Sequence, residues 1–419
     1  MKGQLFSQFL DLVNVSDGKA GTIVAAIKEG LHKKNVPTHK LYGLGTDGAA
    51  VMTGRLNGVA KQLQDDFPWL MPVACAAHRL ALACKDASSE VPYMSTFRDH
   101  LQQLHQYFQN SANRTAVPKA ASQSLGLEHL KVKQVKDTRW LSQHLAILTL
   151  QKNLSAVMTA LAEETEVHKF PVAKGLYGFC CTYRFVASVY LQADVLPHLA
   201  RLSRIFQKET VNFLAIKEQV PVTMACLKNI KDAGDAQPPG SFLAQLHSDL
   251  DNPAGLGAFN IVDEEERERR GRGQVKPTRE VLWSRYRTQV MEPYLDGLQD
   301  SLDRRFQNLN IMGAFHVLGP QAAKEDDSIN FENIKTLSTK FLQQPDSHAL
   351  LEWSSFKQHM LTGAFKDMDQ LTIMSKLVSQ HDEWCQIYPS LSKLAAIALT
   401  VPISSVNCER DFSTMNRTT

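Results

Sequence analysis

The sequence predicts an α/β core at the start of the chain and a large all-helical region after it. Up to about residue 140, short apolar runs alternate with helical patterns, an order typical of a sheet with parallel strands. From Leu141 the helical period continues with almost no β-rich run, and a compact apolar block starts near Leu371. We therefore expect three parts: residues 1–140, residues 141–370 and residues 371–419.

The first predicted unit is a strand followed by a helix. Leu5 to Val15 is apolar enough for a strand, and Ser16 or Asp17 can cap the helix that follows. The apolar residues of one face of this helix are Ile23, Val24, Ile27 and Leu31.

Two further strand–helix units follow. Lys40 to Gly45 predicts a strand, and Arg55 to Phe67 predicts a helix with Val59 and Leu63 inward. Met71 to Ala74 predicts a third strand, which leads into the apolar helix "CAAHRLALACKDA".

Asp47 lies directly after the second predicted strand, between two glycines. Asp and Gly favour tight turns, so a turn is one interpretation. The other is a metal or substrate ligand, because α/β sheets bind ligands beyond the carboxyl ends of their strands. The residues leave both open.

The region after Leu141 predicts amphipathic helices, clearest in "LSQHLAILTLQKNLSAVMTALAEE". Its apolar residues at helical spacing are Leu145, Leu148, Leu154, Val157 and Leu161. Exposed loops are expected near 232–240 and 263–278. At the end of the chain, a helix from Leu391 to Leu399 should stop at Pro402, and Ser404 or Ser405 should open another that carries Glu409.

Composition indicates a globular protein, with 43% hydrophobic and 21% charged residues among 419. A net charge of +3 excludes a histone-like DNA binder but permits a local basic face. Seven cysteines without framework spacing favour a reducing compartment and no disulfide. No run approaches 18 apolar residues, so we expect an intracellular protein without a membrane partner.

Three further short signals each have a structural and a functional interpretation. Cys75 and His78 have the spacing of two zinc ligands, but no second pair follows, which favours a buried thiol beside a packed histidine. Arg139 and Trp140 could be a surface cation stacked on an indole. Glu409 could be a solvated helix acid.

Taken in order, these signals resemble the catalytic half of hAT-superfamily transposases and the host proteins derived from them. The blocks that carry the resemblance are "TDGAAVMTG" (46–54), "CAAHRLAL" (75–82), "DTRW" (137–140) and "YPSLSKLAAIALTVPISSVNCERDFSTMN" (388–416). The resemblance implies an RNase H-like core, N-terminally incomplete and interrupted by the helical insertion. In such enzymes three carboxylates hold two divalent metal ions at a phosphodiester, and Mg²⁺ suits these oxygen ligands.

Carried over residue by residue, Asp47 corresponds to the second acid and Glu409 to the third. Arg139 and Trp140 correspond to the element that handles DNA, and Cys75 with His78 to a structural motif beside the active site. The first acid is expected upstream of this chain, because Asp11 and Asp17 lack its surroundings.

The resemblance therefore implies a nuclear, transposase-derived protein that retains dimerisation, with nucleic acid as a further partner and without transposition activity. No cofactor is then required, and Mg²⁺ matters only for residual activity. One alternative is an active metal-dependent recombinase whose first acid lies upstream. The other is a helical interaction scaffold.

The final block resembles the family's dimerisation region, which implies association with a second copy or a related hAT-type protein. Trp384, Tyr388, Leu391 and Leu394 are the candidate interface residues, because the block is more apolar than one helical pair can bury. The alternative is that these side chains are internal core.

Overall fold

The computed structural model describes residues 8–109, 140–208, 211–263, 277–307, 310–343, 346–379, 383–406 and 408. These residues are mostly helical and contain two parallel strands, β1 Gly43–Thr46 and β2 Met71–Ala74. The helices are α1 Ala20–Lys33, α2 Ala50–Thr53, α3 Val59–Asp66, α4 Ala76–Glu90, α5 Pro92–Gln109, α6 Trp140–Lys152, α7 Leu154–Glu166, α8 Pro171–Cys180, α9 Tyr183–Phe206, α10 Phe213–Ala233, α11 Phe242–Asp251, α12 Arg279–Tyr286, α13 Glu292–Phe306, α14 Asn310–Ala314, α15 Asp327–Phe341, α16 Asp346–Leu361, α17 Gln370–Val378, α18 Trp384–Ile387 and α19 Pro389–Thr400. Short 3₁₀ turns cover Thr38–Lys40, Leu256–Ala258, Phe315–Leu318 and Ala322–Lys324, and a π turn covers Arg287–Met291.

The chain forms two compact units, each made of more than one stretch of sequence. The first unit comprises Met1–Arg79, Ile205–Gln219 and Arg305–Thr419. The second comprises Leu80–Arg204 and Val220–Arg304.

The sheet of the first unit pairs β1 with β2 in parallel, with Gly43 opposite Met71 and Thr46 opposite Ala74. Beside it lies a small core cluster in which the predicted inward residues of α3, Val59 and Leu63, are both buried. The other buried members of this cluster are Val24 and Leu70. Here local hydrophobic periodicity correctly predicts the core face.

The predicted first strand is wrong for the residues that the structure describes. Residues 8–15 have no regular structure, and large apolar side chains among them are 41–61% exposed. The N–H of Leu12 is bound by Asp11 Oδ1 at 2.8 Å, a local bond rather than a ladder to another strand. An apolar run becomes a strand only where a neighbouring strand accepts its backbone hydrogen bonds.

Helix α1 also begins later than the predicted caps suggest. Its cap position is Lys19, and Asp17 accepts the N–H of Lys19 at 3.0 Å. The predicted apolar face is correct, since Val24 and Leu31 are buried and Ile23 and Ile27 are partly buried.

The second unit is a helical assembly whose first pair of helices is sharply bent. The single long helix suggested by the sequence divides at Asn153 into α6 and α7, which meet at 70°. Leu145 is consequently 41% exposed, while Ala146, Ile147 and Leu150 are buried instead. Within the described ranges no single helix is long and apolar enough to cross a membrane, although this bent pair meets that test by length and composition.

Long-range polar contacts fix other helices of the second unit. Asp194 of α9 accepts the N–H groups of Phe242 and Leu243, each at 2.9 Å, at the start of α11. The predicted loop near 232–240 joins α10 to α11 and contains Gly234 and Gly240 with positive φ. Most of the second predicted loop, 263–278, lies outside the described residues.

Candidate functional site at the carboxyl edge of the strands

Asp47 and Cys75 come directly after β1 and β2, at the same edge of the parallel pair. The N–H of Cys75 donates to the carbonyl of Thr46 at 2.8 Å, which extends the ladder by one bond beyond β2. Residues that follow adjacent parallel strands meet at one edge, the usual place for a ligand in an open α/β sheet. Backbone pairing thus brings two of the sequence-predicted residues together.

Asp47 is exposed and takes part in a turn. Its Oδ1 accepts the N–H of Ala49 at 3.2 Å, and α2 begins at the next residue. Thr53 Oγ1 in turn donates to the carbonyl of Ala49 at 3.1 Å. The structure thus contains the predicted turn, in which the aspartate bonds the backbone two residues ahead, and the role of Asp47 as a ligand stays a prediction.

The glycines of β1 face Val401 and Pro402, which directly follow α19. A Cβ on Gly43 would lie 2.5 Å from Pro402 Cδ and 3.2 Å from Val401 Cα. A Cβ on Gly45 would lie 3.1 Å from Pro402 Cβ. These glycines therefore allow the segment after α19 to approach the strand closely, a role that the sequence did not suggest.

The same segment continues past Cys75. Ala76 N–H donates to the carbonyl of Ile403 at 2.8 Å, and Ser405 N–H donates to Cys75 Sγ at 3.3 Å. Cys75 Sγ also lies 3.8 Å from Ser404 Oγ, and the thiol is fully buried. Cys75 thus holds residues 403–405, here called the C-terminal turn, against the edge of the strands.

The first turn of α4 adds His78 and Arg79 beside this edge. His78 is half-buried, and Arg79 Nη1 donates to the carbonyl of Arg305 at 3.2 Å. Burial lowers the pKa of Arg79, because removal from water disfavours the charged guanidinium. Arg79 was not among the residues that the sequence singled out, because an arginine on an apolar helix carries no distinctive spacing.

Two of the predicted site residues, Arg139 and Glu409, lie outside the described residues. Trp140 begins α6, and the position of its side chain is not described. Over the described ranges no three His, Cys, Asp or Glu side chains are arranged to hold a metal ion.

The two early acids bind lysines. Asp11 Oδ2 lies 3.7 Å from Lys34 Nζ, and Asp17 Oδ2 lies 3.3 Å from Lys19 Nζ. A hydrogen bond from Thr22 is the main cause that lowers the pKa of Asp17. Both carboxylates therefore have local partners on the surface.

Two of the four predicted interface residues, Trp384 and Tyr388, belong to an aromatic cluster in the first unit. Tyr388 is 2% exposed, Leu391 and Leu394 are fully buried, and Trp384 is half-buried. The rings of Trp384 and Tyr388 are stacked with centroids 6.1 Å apart. Three of the four candidate side chains are thus core of the chain itself, the alternative that the sequence left open.

Glu352 is a contact that sequence reasoning missed. From α16 its carboxylate accepts the N–H groups of Ser390 at 3.0 Å and Leu391 at 2.9 Å, in the first turn of α19. The available signal was indirect: a tyrosine before Pro389 supplies no side-chain cap, which leaves the first N–H groups of α19 open to an acceptor from another helix.

These residues lie in a part of the chain that matches a family model. Residues 352–419 match the family described as the hAT family C-terminal dimerisation region. This match supports an hAT-family transposase-like protein. Dimerisation, with a second copy or with an hAT-type partner, is the property that the matched region supports.

In the hAT-like protein, the matched region packs around α19. Helix α19 contacts α16, α17 and α18, and Glu352 lies at the first matched position. The apolar side chains of the matched region are not all buried, since Leu371 on α17 is 43% exposed and Ile387 on α18 is 51% exposed. The region therefore has both an internal core and an apolar outer surface.

Proposed function

We propose that the hAT-like protein forms a homodimer through its C-terminal region, and that Leu371 and Ile387 are part of the contact. The observation that carries this proposal is the exposure of these two apolar side chains on α17 and α18, two helices that pack against each other. Half-buried Trp384, at the start of α18, adds an aromatic side chain of the kind enriched in interfaces. Tyr388, Leu391 and Leu394 support the interface from the core behind it.

The oligomeric state of the full chain tests this proposal. Light scattering after size-exclusion chromatography should give a dimer at micromolar concentration for wild type and a monomer for Ile387→Glu. Leu371→Glu should weaken the dimer in the same way. The matched control is Val167→Glu in the second unit, where an apolar side chain is 66% exposed outside the matched region. A dimer that survives both changes in α17 and α18, or a wild-type monomer, would refute the proposal.

The proposal extends to a partial RNase H-like core over residues 1–140, a helical insertion over 141–370 and a closing region over 371–419. It is supported by the parallel β1–β2 pair, by the helices after Trp140 and by the contact of Pro402 with β1. A nuclear location belongs to the same proposal, and microscopy of a fluorescent fusion checks it.

Nucleic-acid binding is the second part of the proposal, and a groove in the first unit supports it. The groove holds about 510 Å³ between α15 and the loop before β2. Trp69, Lys335 and Lys340 line it together with the acid Glu332, and the indole Nε1 of Trp69 has no hydrogen-bond partner. The amine of Lys340 already donates to the carbonyl of Pro68. The indole of Trp69 and the exposed amine of Lys335 are therefore the pair that suits a stacked base and its phosphate.

Fluorescence anisotropy with a labelled oligonucleotide tests the groove. Lys335→Glu should weaken binding and reduce its salt dependence, because one phosphate contact is lost. Lys174→Glu changes an exposed lysine of the second unit and should leave binding unchanged. Equal affinity of the Lys335 variant and wild type would refute this role.

We also propose that the protein does not catalyse strand transfer. The carboxylate of Asp47 is engaged in its turn, and Asp11 and Asp17 bind lysines. Incubation of labelled DNA with protein and Mg²⁺ should give no nicking above buffer. Nicking that disappears in Asp47→Asn would instead favour the active recombinase.

A further inference from the structure

Three side chains of the first unit form a continuous hydrogen-bonded chain. Lys217 Nζ on α10 lies 2.6 Å from His316 Nδ1, in the 3₁₀ turn Phe315–Leu318. His316 Nε2 lies 2.9 Å from Glu325 Oε1. An amine, an imidazole and a carboxylate are thus in line, the order in which a base and its orienting acid assist a nucleophile.

The positions of the protons follow from the donors available. A lysine ammonium has only donors, so Nδ1 of His316 must accept from it. In the neutral ring the proton then lies on Nε2, which donates to Glu325. Nδ1 of His316 is therefore unprotonated, and its lone pair can receive a proton from the amine of Lys217.

The surroundings of Lys217 favour the reactive, neutral amine. The residue is exposed and open to reagents, while its amine end lies against protein atoms and is partly removed from water. This desolvation lowers the pKa of Lys217, and the opposing effect of Glu325 is smaller. More of the amine is then unprotonated near neutral pH than for an ordinary lysine.

We propose that Lys217 is an acylation site that reacts with acyl thioesters with the help of His316 and Glu325. The neutral Nζ attacks the thioester carbonyl carbon, a C–N bond forms, and the C–S bond breaks. The proton leaving Nζ passes to His316 Nδ1 while Glu325 binds the Nε2 proton, and the imidazole then gives a proton to the departing thiolate. The products are an amide at Lys217 and a free thiol, with no change of oxidation state.

Acylation at this position would act on a turn that touches the matched C-terminal region. The amide at Lys217 has no positive charge, so the ammonium bond to His316 is lost. In the same turn as His316, the carbonyl of Phe315 accepts a hydrogen bond from Gln370 Nε2 at 2.7 Å. Lys217 is therefore linked through one turn to the start of α17.

Mass spectrometry of the intact chain after exposure to a short-chain acyl coenzyme A tests the proposal. Lys33 is an internal control, because it is exposed and its bond to Glu29 raises its pKa. We expect Lys217 to acylate about tenfold faster than Lys33, below the roughly 100-fold or more that a positioned base contributes in an enclosed site. The rate at Lys217 should also level off at a lower pH than the rate at Lys33.

His316→Asn separates catalytic assistance from structure. The asparagine oxygen can still accept from Lys217, but it cannot take the proton at neutral pH. The Lys217 rate should fall toward that of Lys33 and stay above it, because the desolvation that lowers the pKa of Lys217 remains while the base is lost. The thermal unfolding midpoint should stay near wild type, and Glu325→Gln should give a rate between those of His316→Asn and wild type. Equal rates at Lys217 and Lys33 in wild type, or an unchanged Lys217 rate in a folded His316→Asn, would overturn the proposal.

Discussion

Replacement of Glu352 by alanine should strongly destabilise the first unit. The carboxylate binds the N–H groups of Ser390 and Leu391, at 3.0 and 2.9 Å, and these two residues are 7% and 0% exposed. A buried donor left without a partner costs about 1–3 kcal/mol. Because Glu352 is half-buried, water can replace part of the loss, and we expect Glu352→Ala to cost about 2–4 kcal/mol.

Glu352→Gln gives a graded test. The amide keeps one acceptor oxygen but loses the charge that favours the positive start of α19. We expect a loss of about 1–2 kcal/mol, between wild type and alanine. Stability that rises from Glu352→Ala to Glu352→Gln to wild type is the order expected if Glu352 acts by hydrogen bonding at the start of α19.

Urea unfolding and amide hydrogen exchange measure the effect together. The free energy of unfolding should fall, while its slope against urea concentration should not change. The amides of Ser390 and Leu391 should exchange faster in both variants. Glu163→Ala removes an exposed glutamate of α7 and should change stability by less than about 0.5 kcal/mol. If Glu352→Ala stays within that margin and exchange at α19 is unchanged, the bonds from Glu352 do not stabilise the helix.

Two further predictions concern the first unit. Gly43→Ala should cost about 1–3 kcal/mol in urea unfolding because its Cβ would overlap the ring of Pro402, and Gly45→Ala should cost less because its nearest contact is 3.1 Å; equal costs would contradict this contact. Asp369→Ala should cost about 1 kcal/mol through loss of the cap of α17. The hydrogen bond from Thr372 N–H is the main cause that lowers the pKa of Asp369, so its stabilisation is complete above the ordinary carboxyl pKa and is lost as pH falls through the lowered folded value. Asp369→Asn should keep the cap without this loss of stability at low pH. If the free energy of unfolding of Asp369→Asn falls with pH as it does in wild type, the pH dependence belongs to another group.

Features governed by near neighbours in sequence were predictable. Strand β2 and the inward face of α3 follow from the spacing of apolar residues, and the shared edge of Asp47 and Cys75 follows from parallel pairing. Residues 8–15 have an equally apolar pattern but no strand, because that outcome depends on a partner elsewhere in the chain.

Features governed by distant residues were not predictable. The bend at Asn153 interrupts a run whose helical period is continuous across the break. The bonds from Glu352 to α19 and the contact of Pro402 with Gly43 join segments that no local pattern relates. Burial of Tyr388 and Leu391 likewise depends on which helices pack around α19, so an apolar block did not distinguish core from interface.

The contact between the C-terminal turn and the edge of the strands has a consequence for protein synthesis. Cys75 and Ser405 are 330 residues apart, so the ribosome must make the whole intervening chain before the bond from Ser405 to Cys75 can form. At a typical elongation rate this interval lasts roughly 20–70 s. Until then the glycines of β1 and the thiol of Cys75 are not covered by residues 401–405.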